Sequence, residues 1–352
     1  SSRRNRLVAI LWGLLVTIVF LGGLVIGFMY YLKTTFEGPG PLAADVIYTV
    51  EKGDSVTVIA QKLMDEGYIS DARVFILGFY LNKETGPLKA GEFALQTNVS
   101  MEEIIRIFRS GKSVAYNITL PEGLTSQQIV DRINQDPILT GTIDETPAEG
   151  SLLPETYAFQ RGTTRQDLLD RMTEAQGKVL QAAWDKRIDN LPFTQPQEAI
   201  ILASIVEKET GQRRRVAAVF INRLNKSMRL QSDPTIIYGI VGPKGALGRP
   251  IKQSEIDNPT PYNTYQIDGL PPTPIANPGR AAIEAVLHPV RSDELFFVAD
   301  GTGGHLFAKT LKEHNENVAK YRAWQKQQKN LSGIPAAPEI PPVSKSAVVP
   351  AQ

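Results

Sequence analysis

The sequence predicts an α+β protein with a single N-terminal transmembrane helix, a small α+β module after it, and a larger domain of mixed helices and short strands. Three observations carry this reading. Residues Leu7 to Leu32 form an uncharged apolar run long enough to cross a bilayer as a helix. From Val46 onward, short alternating runs stand next to segments with helical apolar spacing. The stretch IILASIVEKE, residues 200 to 209, is a nearly unbroken apolar helix signal that ends in two carboxylates.

The apolar run follows Arg3, Arg4 and Arg6, and only Lys33 comes directly after it. That bias predicts a cytoplasmic N-terminus for residues 1–6, a span over 7–32 and an extracytoplasmic remainder. A cleaved signal peptide is the alternative, but this run exceeds the usual apolar core and Gly22, Gly23 and Gly27 make no clear cleavage end. The 352 residues include no cysteine, so the chain folds without disulfides. Net charge is +1, which gives no basic surplus for nucleic acid.

The module at residues 46–112 begins with Ile47 and Thr49 alternating with Tyr48 and Val50 as a strand does. Gly53 and Asp54 turn the chain, and Ser55 caps a helix carrying Val56, Ile59, Ala60 and Leu63. A second helix is expected over Asp71 to Leu81, then an extended LKAGEFAL, then a helix capped by Ser100 with Ile104, Ile105 and Phe108. The opening segment resembles LysM-type carbohydrate-binding modules, whose strand, helix, helix, strand core implies glycan binding; a purely structural role is the other reading.

A connecting α+β region is expected over 113–192. NITLPEGLTSQQIVDRI reads as strand, glycine turn and helix starting near Thr125 or Ser126, and a scaffold helix is expected from Arg165 to Asp185. Between them EGSLLPETYAFQRGT has no regular period and reads as an ordered loop. Its Glu155, among aromatic residues, is a candidate for lining a cleft or equally a surface turn.

The main domain, 193–325, opens with Pro196 in the first turn of a helix running to Thr210. On that helix Glu209 shares its side with Leu202, Ile205 and Val206, whereas Glu207 follows Ala203 and Ser204. Glu207 therefore reads as a surface charge, and Glu209 as a partly buried carboxyl with a raised pKa, suited to acid catalysis. A second helix spans Arg213 to Asn225; MRLQSDPTIIYGI then joins the polar Gln231, Ser232 and Asp233 to an apolar run. Residues 258–289 hold seven prolines with Tyr262, Asn263, Tyr265 and Asn277, an ordered loop over a groove that suits a neutral polar polymer, followed by a helix over Pro278 to Leu287. Two short strands, Leu295 to Ala299 and one through His305 and Phe307, precede a final helix. The Pro- and Ala-rich residues 331–352 read as a disordered tail.

Other chemistries lack their signatures. The three histidines, His288, His305 and His314, have no metal-ligand spacing, and there is no GxSxG elbow, Walker loop or GxGxxG. No metal and no cofactor is expected.

Taken in order, ILASIVEKETG, VFINRL, MRLQSDPTIIYG, NPTPYNTYQIDGLPPTPIANPG and LFFVADGTGGHLFAKTLKEHN resemble the YceG-like family of membrane-bound endolytic murein transglycosylases. The resemblance implies a peptidoglycan lytic transglycosylase at the cell inner membrane, with glycan strands as substrate, 1,6-anhydro-N-acetylmuramic acid ends as product, and penicillin-binding synthases as expected partners. It places the family's catalytic glutamate, the second carboxylate of EKE, on Glu209. Gln231, Asp233, Tyr262, Asn263, Tyr265 and Glu155 are the substrate-binding candidates. Two other readings stay open: a hydrolytic muramidase with Asp233 as a second carboxylate, and a membrane-anchored glycan-binding scaffold.

Overall fold

The structure is a computed structural model that describes residues 2–81, 86–209 and 211–332. The tail expected over 331–352 lies outside the described residues beyond Ser332. The described chain divides into two compact units, one of residues 1–116 with 160–162, the other of 117–159 with 163 onward. The stretch 117–159, expected to belong to a connecting region, is thus built into the same unit as the main domain.

In the first unit, α1 (Ser2–Glu37) is one continuous helix. From Leu11 to Glu37 it is long and apolar enough to cross a membrane, with a mean hydropathy of 2.4 over a stretch that is not buried against protein. The mixed α+β fold with this one N-terminal apolar helix agrees with the expected class. β1 (Val46–Val50) is followed by α2 (Val56–Asp65), α3 (Ala72–Leu81), β2 (Gly91–Leu95) and α4 (Met101–Ser110). β1 and β2 pair antiparallel, Tyr48 opposite Phe93. Ser55 and Ser100 cap α2 and α4 by accepting from Val58 and Glu103 backbone N–H groups, which satisfies donors the helix itself cannot. The sheet and helices close on Phe75, Phe93, Phe108 and Leu63, all fully buried. Leu32 and Phe36 at the end of α1 pack against the same core.

In the second unit, β3 (Tyr116–Thr119) and α5 (Ser126–Asn134) lead to β4 (Thr156–Phe159), which pairs with β3. The loop expected around Glu155 therefore contains a strand. Its alternation, with Tyr157 and Phe159 buried and Thr156 and Ala158 exposed, is only four residues long and was masked by the prolines and glycines around it. α6 (Arg165–Asp185) begins with a capping box made by Thr164 and Asp167. It packs with α7 (Pro196–Lys208) and, further on, the helix after the Pro-rich loop, and α8 (Arg213–Asn225) packs on α7.

α9 (Asp233–Val241) forms where a short apolar run was expected, and α10 (Gln253–Ile256) precedes the Pro-rich loop. α11 (Arg280–Leu287), the hairpin β5 (Phe296–Ala299) and β6 (His305–Ala308), and α12 (Leu311–Ser332) complete the unit. The core is the α7, α8 and α11 interface: Leu202, Ile205 and Val206 against Val216, Phe220, Ile283 and Val286, all buried. Phe220 also sets its ring edge against Phe297 at 5.6 Å, which ties the hairpin to the helices.

Phe220→Ala removes a ring that is 1% exposed and is expected to destabilise the second unit by about 3–5 kcal/mol. Denaturant unfolding of the detergent-solubilised chain, followed by tryptophan emission, measures the loss.

Candidate active site

α7 stops one residue before Glu209. The Glu209 N–H still reaches the Ile205 carbonyl at 3.2 Å, but its ψ of 129° is extended backbone, and Gly211 turns the chain at φ +96°. The helix was expected to run on to Thr210, a position outside the described residues. Gly211 is required twice over, since its backbone is left-handed and an added Cβ would meet His305 Nδ1 at 2.8 Å. The two acids of this turn then diverge.

Glu207, expected as a surface charge, is buried: its side chain is 3% exposed. One carboxylate oxygen accepts from Arg213 Nη2 at 2.7 Å and the other from the Gly279 backbone N–H at 3.1 Å. The small residues one turn earlier, Ala203 and Ser204, leave room for the neighbouring chain and not for water, which is why the helical-face argument failed for Glu207. Among the described residues Glu209 has no basic partner. Its Oε1 accepts one hydrogen bond, from Ser232 Oγ at 2.8 Å. Protein packs around the carboxyl while part of the side chain stays open to solvent. Desolvation raises its pKa to about 7; the Ser232 hydroxyl offsets part of that, and the nearby Asp233 charge adds to it.

The segment that supplies Ser232 is held from behind. Ser232 N–H donates to Thr264 Oγ1 at 2.9 Å, Thr235 Oγ1 donates to the Ser232 carbonyl at 2.6 Å, and the Thr235 and Thr264 hydroxyls lie 2.8 Å apart. Gln231 N–H donates to the Thr264 carbonyl at 3.1 Å. Ser232 stands in the N-cap position of α9 but makes no capping bond, so its hydroxyl is available to Glu209. The sequence places Ser232 in a polar patch with Gln231 and Asp233, and no local pattern shows that the serine is the one of the three that bonds Glu209.

Among the candidates, Gln231, Asp233 and Tyr265 gather around Glu209's partner. Asp233, the first residue of α9, accepts from Tyr265 OH at 2.8 Å, and burial raises its pKa against that hydrogen bond. Gln231 Oε1 accepts from Arg223 Nη1 at 3.2 Å. Arg223 itself is buried and bonds the carbonyls of Leu295, Arg229 and Leu230; burial lowers its pKa to about 10. It anchors the 229–231 segment, a role no motif announced.

The other three stand apart. Tyr262 hydrogen-bonds Thr273 and sets its ring against Tyr238. Asn263 is 1% exposed; its Nδ2 donates to the Ile256 and Asn258 carbonyls at 2.9 and 2.7 Å and its Oδ1 accepts from Tyr265 N–H. An amide so enclosed braces the Pro-rich loop and has no surface left for a sugar. Glu155 pairs with Arg280 at 3.5 Å on an exposed face.

Chemically, the arrangement presents one carboxyl group that is neutral and charged in comparable amounts near pH 7, beside a hydroxyl and a tyrosine-bound second acid. Such a group can give a proton and take one back. The fold and site thus define an acid–base protein of α+β type carrying an apolar N-terminal helix. Residues 48–320 match the YceG-like family, and the chain belongs to that family. It is 31% identical over 335 residues to the endolytic murein transglycosylase of Bacillus subtilis (strain 168), which covers 84% of this chain and 90% of the relative. It is 30% identical over 348 residues to that of Streptococcus pneumoniae (serotype 2, strain D39), where the match covers 84% of this chain and 62% of the relative. A crystal structure of a yceG-like protein from Listeria monocytogenes is 30% identical, with a TM-score of 0.47 over 78% of this chain and 99% of that one.

A carboxyl with a raised folded-state pKa binds its proton more tightly when folded, so it weakens stability as pH rises from the unfolded value of 4.5 through about 7. Glu209→Gln removes that penalty and is expected to stabilise the fold at pH 8 by on the order of 3 kcal/mol, with no gain at pH 4. Unfolding midpoints of both proteins across this range measure the difference. Ser232→Ala should move the Glu209 titration upward, as followed by carbon NMR of labelled glutamate.

Proposed function

We propose that this enzyme is an endolytic murein transglycosylase that cleaves the bond between N-acetylmuramic acid and N-acetylglucosamine within glycan strands. The observation that carries the reading is Glu209, whose desolvated carboxyl has no basic partner among the described residues and is poised near pH 7 beside the Ser232 hydroxyl. Its family and its murein-transglycosylase relatives support the same chemistry.

Protonated Glu209 gives its proton to the glycosidic oxygen as the bond from C1 breaks and positive charge develops at C1. The leaving sugar departs as an alcohol. The C6 hydroxyl of the same muramoyl residue attacks C1, and its proton passes to the Glu209 carboxylate. A 1,6-anhydro ring closes, Glu209 is protonated again, and no water is consumed. Acid first and base second is a cycle that a pKa close to the working pH serves. Ser232 orients the carboxyl, Gln231, Asp233 and Tyr265 line its approach, and Tyr262 lies beyond them. The chain acts from the inner membrane, with residues 1–6 cytoplasmic and the two folded units outside, cutting strands as synthases extend them.

Asp233 favours a second reading. It lies near enough to Glu209 to perturb its proton, and a hydrolytic muramidase needs two carboxyl groups about 5–9.5 Å apart. The products separate the two readings.

Incubated with uncrosslinked glycan strands and a chelator, the full chain is expected to yield anhydro ends by mass, and Glu209→Gln to lower the yield by at least about 100-fold. Reducing ends carrying label from heavy water identify the hydrolase instead, and intact strands with both proteins refute either enzyme.

A further inference from the structure

The first unit carries an apolar surface that its own core does not use. On α3, Leu77, Tyr80 and Leu81 are exposed, the last two by 71% and 69%. They are consecutive on the outer side of one helix end, since residues three and four apart share a helical face.

The path of α3 beside α1 fixes where that end points. The segment before α3 lies at the top of α1, where the Tyr68 and Val99 carbonyls close around Gly40. Gly78, near the other end of α3, is pressed against Phe36 so tightly that a Cβ there would overlap the edge of the ring. α3 thus runs back along α1, against its direction. Leu32, the last residue of the uncharged span, already packs on the unit's core with Phe36. Past Gly78, α3 continues by three residues, about 4.5 Å, toward the level at which α1 enters its apolar stretch.

α4 supplies the charge. Its first residues follow Val99 at the Gly40 end, and its last turn lies beside the end of α3, where Arg109 Nη2 donates to the Phe79 carbonyl at 3.1 Å and the guanidinium covers the Phe79 ring. Lys89 reaches the Ser110 carbonyl at 3.3 Å, and Lys89, Lys112 and Lys33 are exposed, Lys33 at 3.9 Å from the Glu37 carboxylate. One end of the unit therefore combines a tyrosine, two leucines and a basic rim around the exit of a membrane helix. Tyrosine and aliphatic side chains with lysine and arginine nearby are the chemistry of the lipid headgroup boundary.

We propose that Leu77, Tyr80 and Leu81 insert into the headgroup region of the bilayer that α1 spans, with the basic rim on anionic phospholipid, so that the first unit is seated on the membrane and not held off it. The rigid continuity of α1 with the core selects this occupant over a glycan or a second protein, because the bilayer is already there.

The absence of cysteine gives a clean test. Full-length Tyr80→Cys and Leu81→Cys, each nitroxide-labelled and placed in nanodiscs containing phosphatidylglycerol, are compared with Glu102→Cys, an exposed site in the first turn of α4 away from this end. The expected result is a ratio of oxygen to nickel-chelate accessibility several-fold higher at residues 80 and 81 than at 102, shrinking in phosphatidylcholine alone or when Leu77→Asp is added. Equal ratios at all three sites overturn the proposal. A label at 80 or 81 that is immobilised and closed to both quenchers also overturns it, in favour of a protein occupant.

Discussion

Everything at the candidate site depends on keeping positive charge away from Glu209. A guanidinium within ion-pair distance would hold the carboxyl ionised and leave it no proton to give. α8 carries arginines at 213, 214, 215 and 223, and each is committed elsewhere: Arg213 to Glu207 and Glu122, Arg214 to the His288 carbonyl, Arg215 to Glu294, and Arg223 to backbone carbonyls. Glu207, two residues away, instead has an arginine and a backbone N–H as its partners. The difference between them lies in their partners, and the helix end separates those partners by turning Glu209 out of the helical direction.

The elements that sequence alone located well are those set by local chemistry. The bounds of α6 and α8 agree with the expected helices, and Ser55, Ser100 and Thr125 cap the helices that begin after them. A cap needs a hydroxyl and a backbone N–H three residues on, so it is written within four positions. β4 was missed for the opposite reason, because its pairing with β3 joins segments some forty positions apart. The same distance explains the site. Glu209 was identifiable from the apolar run before it and from the resemblance, but its partner arrives from Ser232, and Ser232 is placed by Thr264.

The two glutamates also show how an expectation drawn from a helical face changes at the helix end. Glu209 was expected to be desolvated by the large side chains of its own helix, yet it lies past the end of that helix and is enclosed with help from the start of α9. Asn263 carries a related lesson: an amide in a loop rich in tyrosine and proline suggests a sugar contact, whereas it donates to carbonyls at the end of α10 and just beyond, which the helix leaves without donors of its own.

Gln231 gives the site a history in its backbone. It is one of four non-glycine residues with positive φ among the described residues, at +53°, a conformation that costs glutamine about 1 kcal/mol and glycine or asparagine less. Thr264 and Arg223 hold it there from two sides. A sequence optimised only for folding would relax this position, and the adjoining serine would lose the fixed direction in which it offers its hydroxyl. Ease of folding and the fixed direction of the Ser232 hydroxyl toward Glu209 therefore pull on the same residue in opposite senses.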